Sequence, residues 1–333
     1  MPFFGAPTAA DKPADPYRDE RISKLLNELT DHRHKYPLRA NDTVRKQMRV
    51  LNDLDPNKLS SGGALLGVDP IVALQIGMVA TSAMRANAEI LGRLGNYAHI
   101  VPTLDDVANE GVIVTPSNPS TTVDMVGCGR RKFNPVIFSS TRLKVSRVVE
   151  TDAARLMPGI MFALGQRLAR KQNREFTVGE GHNGPQGIVP AAGVGVTAAS
   201  ATAIATDEVL RLVGSVNAFY RQTASLMMNT TTWTVLATAK DGQGQYAWRL
   251  AGLHEFPLAL NDNMPDIAAG AKPIVYGDLS AYKIFDLGEV TIQRFVEEYV
   301  AFYESAYEAW LQSDGALADA SGNAVHALQM AAE

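Results

Sequence analysis

The run Gly179-Glu180-Gly181-His182-Asn183-Gly184-Pro185-Gln186-Gly187 is the place where this chain could cradle an anion on backbone N–H groups. A nucleotide loop of the Walker kind closes with Gly-Lys-Ser/Thr. Here Gly187 is followed by Ile188, and no lysine lies between Phe176 and Ile188. Gly193-Val194-Gly195-Val196-Thr197-Ala198 is a partial dinucleotide fingerprint. It lacks a clear preceding strand, and the next acids, Asp207 and Glu208, come too soon for a ribose contact. His32 and His34 are the only close pair of histidines, and one-residue spacing puts them on different faces of a helix, with no third ligand nearby. Cys128 stands between Gly127 and Gly129 beside Arg130 and Arg131. Those cations could activate a thiol, but no general base accompanies it, and an incidental thiol is the simpler reading. Neither HExxH nor GxSxG occurs. The expectation is no catalytic residue, no cofactor-binding residue, no metal ligand and no cofactor.

The elements that would position such groups are those of an ordinary globular chain. The 333 residues are 46% hydrophobic and 20% charged, enough for two domains or one body with long excursions. A single cysteine excludes an internal disulfide framework. A net charge of -4 argues against a nucleic-acid reader. The most apolar window, Ile71 to Met84, is interrupted by Gln75 and too short for the roughly 20 residues of a membrane span, so no membrane partner is expected.

A proline-bearing tail precedes two amphipathic stretches, Ile22-Leu25-Leu26-Leu29 and Val44-Met48-Leu51, and Ser60 to Gly63 forms a linker. Asp69-Pro70 predicts a helix start, with the helix running to about Ala88. Glu110 to Arg147 predicts a long two-stranded excursion with a basic tip at Arg130-Arg131-Lys132. Asp152 predicts the cap of a helix that keeps a 3.6 period through Leu156, Ile160, Leu164 and Leu168. Pro158 should shift its start or kink it, and Arg167, Arg170 and Lys171 would make a basic last turn. Further on, Thr206-Asp207 should cap a helix carrying Leu210, Val213, Val216 and Tyr220. Leu226 to Met228 should be a buried strand, and Asn229 should cap a helix to about Lys240. Asp241 to Gly244 should turn into a strand at Tyr246 to Arg249. In Asn261 to Phe285, a strand at Ile274-Val275-Tyr276 ends at Gly277. Asp278 then caps a short turn (Leu279 to Tyr282) before Ile284 and Phe285 resume extended structure. Tyr299 to Trp310 fits helix and strand equally.

In this order the pieces resemble the major capsid proteins of tailed phages of the Hong Kong 97 type. The carriers are Phe176 to Ile188 (an aromatic, Gly-x-Gly, then Pro-Gln-Gly-Ile), Asp207 to Lys240 with Met228-Asn229, Gly242 to Arg249 with Tyr246 and Trp248, and Asn263-Met264-Pro265 with Gly277-Asp278 and Tyr282. The match spans about residues 62 to 330. The resemblance implies an α+β fold with an axial domain, a peripheral domain of a long spine helix plus long β-strands, an extended β-ribbon loop and an N-terminal arm. It divides the chain into an N-terminal tail and helical extension (1–61), the arm and entry to the peripheral domain (62–104), the extended loop (105–147), and the spine helix region (148–189). The axial domain (190–287), peripheral-domain strands (288–312) and a C-terminal return to the axial domain (313–333) follow. It favours strands for Tyr299 to Trp310. It also implies a non-enzymatic structural protein that assembles as hexamers and pentamers into an icosahedral shell around double-stranded DNA, without sequence-specific binding. Scaffold, decoration and portal proteins are the implied partners, the virion the location, and the host bacterial cytoplasm the place of assembly. Some relatives cross-link through a lysine of the extended loop, and Lys132 matches by location only, with no matching asparagine. Two alternatives stay open: an encapsulin-like nanocompartment shell and an α/β nucleotide-binding enzyme.

Overall fold

The computed structural model describes residues 70–91, 99–105, 127–150, 153–319 and 322–332. The expected helices around Leu26 and Met48, the pair His32 and His34, and the caps Asp69 and Asp152 lie outside those residues. Two five-stranded sheets organise what is described. The first joins β1 (Glu89–Leu91), β10 (Tyr282–Phe295), β11 (Glu304–Leu317) and β4 (Val136–Ser139) in that order, with β5 (Leu143–Ser146) pairing the other end of β11. Its centre is the antiparallel β10–β11 hairpin, in register from Tyr282↔Leu317 to Phe295↔Ala306, with a shift between Leu287 and Thr291. Gly288 sits in that shift at φ 76°, a backbone state that glycine adopts without cost. The second sheet has the order β6 (Gly193–Thr197), β12 (Val325–Gln329), β9 (Ile274–Gly277), β7 (Ser225–Met228) and β8 (Leu258–Leu260).

One helix serves both sheets. Three helices enter the chain early: α1 (Pro70–Thr81), α2 (Ala83–Asn87) and α3 (Ala153–Val178). The 26 residues of α3 make a rod of about 39 Å at ~1.5 Å per residue. Its Ile160, Met161, Leu164 and Leu168 are buried with Tyr307, Ala309 and Leu311 of the first sheet. Its last turn places Phe176 in a core with Met227, Val275 and Val325 of the second sheet and Tyr282 and Ile284 of the first. The apolar helix α1 lies along α3, and glycines set how close it comes. A Cβ on Gly77 would stand 2.5 Å from the Phe162 carbonyl oxygen, and one on Gly165 would stand 2.2 Å from that of Leu74.

Several sequence expectations hold at the residue level. Asn229 accepts from Thr232 N (2.6 Å) to cap α5 (Thr230–Thr238), which follows α4 (Thr206–Ser215). Asp278 accepts from Ser280 N (2.9 Å) to cap the turn Leu279–Ala281. β7 and β9 form where expected.

Others are corrected. The helix from Pro70 breaks at Ser82, whose side chain caps α2 by accepting from Arg85 N. Pro158 lies inside α3, in its second turn, so it does not set the start of the helix, which runs on past Asn173 to Val178. Arg167, Arg170 and Lys171 therefore sit well before its last turn. In α4 the carboxylate of Glu208 accepts from Ala205 N and Ala199 N, taking the role expected of Thr206-Asp207. Leu210 is exposed, while Val209, Leu212 and Val213 face the core, and Tyr220 belongs to a separate turn. Tyr246 makes only an isolated bridge to Lys240, and Ala247–Leu250 is a helical turn, because no strand is available to pair with it. Tyr299 to Trp310 is neither all helix nor all strand. Glu297–Phe302 is a 3-10 turn closing the hairpin, Tyr303 takes the left-handed conformation at φ 56°, and β11 begins at Glu304.

Replacing Gly165 by alanine should force α1 off α3 and destabilise the fold by about 2 kcal/mol or more, from overpacking against backbone. Gly159→Ala, with nothing within 4 Å of the new Cβ, should be neutral or stabilising by up to about 1 kcal/mol. Denaturant unfolding of the two variants checks the contrast.

Candidate assembly surfaces and the joints behind them

The glycine loop is a joint. Gly179 N donates to Glu175 O (2.8 Å), Gly187 N to Gly179 O (2.8 Å), and Gln186 N to Gly315 O of β11 (3.0 Å). Amides used in this way cannot also cradle a phosphate. Tyr282 Oη donates to Gln186 O (2.7 Å), and burial pushes that phenol well above its ordinary range. The loop folds so closely on itself that a Cβ on Gly179 would stand 2.5 Å from the Pro185 carbonyl oxygen. The second glycine pattern, Gly193 to Thr197, is itself strand β6, parallel to β12, and no strand-to-helix phosphate turn forms there.

The ribbon is rooted beside this joint. β2 (His99–Asp105) pairs antiparallel with β3 (Gly127–Phe133), from His99↔Phe133 to Asp105↔Gly127. The reading of Glu110 to Arg147 as one two-stranded excursion is corrected in part. The ribbon begins earlier, and Val136-Ile137-Phe138 and Leu143 to Val145 leave it to pair with β11, which offers two free stretches along one edge. Arg130-Arg131-Lys132 is no tip. It lies in β3, next to Phe133, which is fully buried against Phe285. Arg131 donates to Gln186 Oε1, and Asn134 N donates to Asp314 Oδ2 (2.6 Å). Burial raises the Asp314 carboxyl, while the Asn134 and Gly315 amides and Arg131 pull it back. Cys128 and Lys132 are exposed on β3, opposite Leu104 and Ile100. No group of three or more His, Cys, Asp or Glu side chains able to hold a metal ion exists among the described residues.

Two buried polar networks, without a local sequence signal, fix the elements behind these surfaces. Arg85 of α2 is 3% exposed and donates from both terminal nitrogens to Asp286 of β10 (2.8 Å each) and from Nε to Gln172 of α3 (2.9 Å). Ser313 of β11 adds a bond to Asp286 (2.7 Å). Beside it, Asn173 accepts from Ser82 Oγ (3.1 Å) and Met84 N (3.0 Å) and donates to Asn261 (2.8 Å), which donates to Thr177 (2.8 Å).

At the closed end of the hairpin, Glu150 accepts from Tyr307 Oη, Ser305 Oγ (2.8 Å) and Arg294 Nη2 (2.7 Å). Burial alone would raise this carboxyl, but the three hydrogen bonds and the Arg294 charge outweigh it and hold it at about 2. Burial and the same carboxylate push Tyr307 to about 12. Exposed apolar side chains gather beside this polar core, interspersed with the exposed acids Glu297 and Glu298: Val148 is 66% exposed, Val300 53%, Phe302 72% and Tyr303 61%. The second sheet ends in an edge strand, β8, with Leu258 and Leu260 turned outward. These are features of a surface made for covering.

The phage capsid family model matches residues 77–326, three quarters of the chain and both sheets. The chain belongs to the phage capsid family. Its fold is the Hong Kong 97-type α+β capsid fold, and it is a structural capsid protein whose place is the virion. The capsid of a native GTA particle is 23% identical, with TM-score 0.61, over 75% of this chain and 90% of that one. A chain of Mycobacterium phage Cain is 17% identical, with TM-score 0.54, over 76% and 91%. The virus-like particle from Pyrococcus furiosus follows at 11% identity, TM-score 0.50, over 77% and 96%. No curated protein matches.

For this capsid subunit, Arg85→Met should cost about 3–5 kcal/mol, because it strands Asp286 beside the core. Adding Asp286→Met should recover part of the loss, as urea unfolding of both variants would show. The Glu150 carboxyl is depressed from 4.5 to about 2, so its stabilisation is complete above pH 4.5 and is lost as pH falls through about 2. Melting curves of Glu150→Gln should lie below the parent at neutral pH and converge with it as pH approaches 2.

Proposed function

We propose that the subunit self-assembles as hexamers and pentamers into an icosahedral shell that encloses double-stranded DNA without sequence-specific contacts. Assembly would take place in the host bacterial cytoplasm with scaffold and portal proteins, with decoration proteins added outside. The work is assembly, not catalysis. The observation that carries this reading is the apolar end of the β10–β11 hairpin, with Val148, Val300, Phe302 and Tyr303 exposed on a capsid-family subunit. A monomer gains nothing from that surface, whereas closed symmetry would bury it once per copy.

In this reading the first sheet with α3 is the peripheral domain and the second sheet the axial domain. Helix α1 with α2 is part of the arm, and the β2–β3 ribbon is the extended loop that lies over a neighbour. An isolated two-stranded ribbon is marginal in water, so a neighbour's surface gives it a physical role. We assign Asn261 to Phe285 as the path from the axial sheet (β9) into the peripheral hairpin (β10). Residues 1–61 we assign to an extension that braces the shell.

Electron microscopy of purified particles before and after nuclease tests the proposal. Closed shells with nuclease-resistant DNA are expected, while shells holding protein and no DNA would favour a nanocompartment. Phe302→Asp, at a position 72% exposed, should change subunit stability by no more than about 0.5 kcal/mol yet abolish shells. Intact shells from that variant would remove the hairpin end from assembly.

A further inference from the structure

The side chains Arg167, Arg170, Lys171 and Arg174 fall within about 100° of arc on α3 at its period of 3.6 residues per turn. Arg170, Lys171 and Arg174 are exposed and Arg167 half-buried. The sequence attributes such cations to a basic last turn, where the helix dipole favours them. α3 continues to Val178, and its last turn holds no cation, so the dipole does not account for the stripe. Like charges at i, i+3 and i, i+4 repel, and four of them share this face.

Carboxylates stand near the stripe, with Glu180 sharing a cleft with Lys171 and Arg174 and Asp262 one with Arg170, but few of the cations are paired. Glu175 is the one carboxylate of α3, and it pairs with Lys171 (2.6 Å). Arg167 donates to the Arg142 carbonyl (3.4 Å). Arg170 and Arg174 form no ion pair with any described residue, and α1, the helix alongside, carries no charge at all. Helix α3 holds five Lys and Arg against one Glu in a chain of net charge -4. Among its described side chains it contributes none of the exposed large apolar ones. The core of a protein interface is apolar and depleted of charge, and arginine, though common in such interfaces, stands here without an exposed large apolar neighbour on α3 among the described side chains. A face that is cationic, without apolar groups and in regular steps fits a polyanion.

We propose that the exposed basic face of α3 is the surface on which the subunit contacts nucleic-acid phosphates, through charge alone. This rests on the shell reading and deepens it, since it says which side of the wall faces the DNA. The chain's negative total keeps the contact local, so the wall touches its cargo without gripping it.

The test measures binding of a short fluorescein-labelled DNA duplex of arbitrary sequence to the unassembled full chain over a range of salt. In Arg170→Gln/Lys171→Gln/Arg174→Gln, three phosphate contacts are lost, and the slope of log K against log salt should fall by about 2.7, at ~0.9 per contact. Arg170→Lys/Arg174→Lys should bind as the parent does. Arg130→Gln/Lys132→Gln, which removes exposed cations of the ribbon, should leave the slope unchanged. The proposal is overturned if the triple variant, with helical circular dichroism intact, keeps the parental slope. It is also overturned if that variant keeps duplex binding and loses shells, which would make the stripe a subunit contact. A parent chain that binds duplex through the stripe but forms no shells would count against the shell reading and not against the stripe.

Discussion

The Arg85–Asp286 ion pair is the constraint on which the rest of the subunit leans. Its partners are 201 residues apart, and it brings α2, α3 and both strands of the long hairpin to one point. A guanidinium with 3% exposure is tolerable only because its fork is filled, by two bonds to Asp286 and one to Gln172. Such a pair contributes little net energy compared with apolar packing, but it penalises every arrangement that leaves either charge alone. It therefore sets register more than it adds strength. The Asn173–Asn261–Thr177 network does the same for the junction between α3 and the second sheet.

From that joint outward the structure passes from rigid to covered to reaching. Close glycine contacts between α1 and α3 leave no slack at the centre. The ribbon departs from a root held by Phe133, Asn134 and Arg131, so its direction is set at its base even though a two-stranded ribbon has little stability of its own. The hairpin closes on Glu150, whose three donors fix the turn and leave Phe302 and Tyr303 on the outside. The residues with unusual chemistry, Glu150, Tyr307 and Asp314, are thus all at joints. No metal-holding cluster of His, Cys, Asp or Glu lies among the described residues.

Much of this was legible in the chain. Local devices were read correctly: Asn229 and Asp278 as caps, Met227 within a buried strand, Gly277 as a strand end. The spacing of Leu164 and Leu168 marked the apolar face of α3. Each of these is decided within a few residues by hydrogen bonding or periodicity, which a sequence displays. The misreadings share a cause of the opposite kind. Phe138 and Val145 looked like ribbon because their true partner, β11, lies some 160 residues away. Tyr246 to Arg249 looked like a strand because alternation cannot say whether a partner strand exists.

The sequence by itself determined the family, the absence of recognised catalytic motifs, and the order of the elements, because motif order and hydrophobic period are properties of one dimension. Only the tertiary structure decided how the glycine loop is bonded, which strands form the root of the ribbon and which leave it for β11, and that the cations of α3 stand mid-helix. Those outcomes depend on which backbone groups meet across long chain separations. A loop's amides can bind an anion or other backbone carbonyls, and here Gln186 N is taken by Gly315 O of β11 and Gly187 N by Gly179 O across the loop.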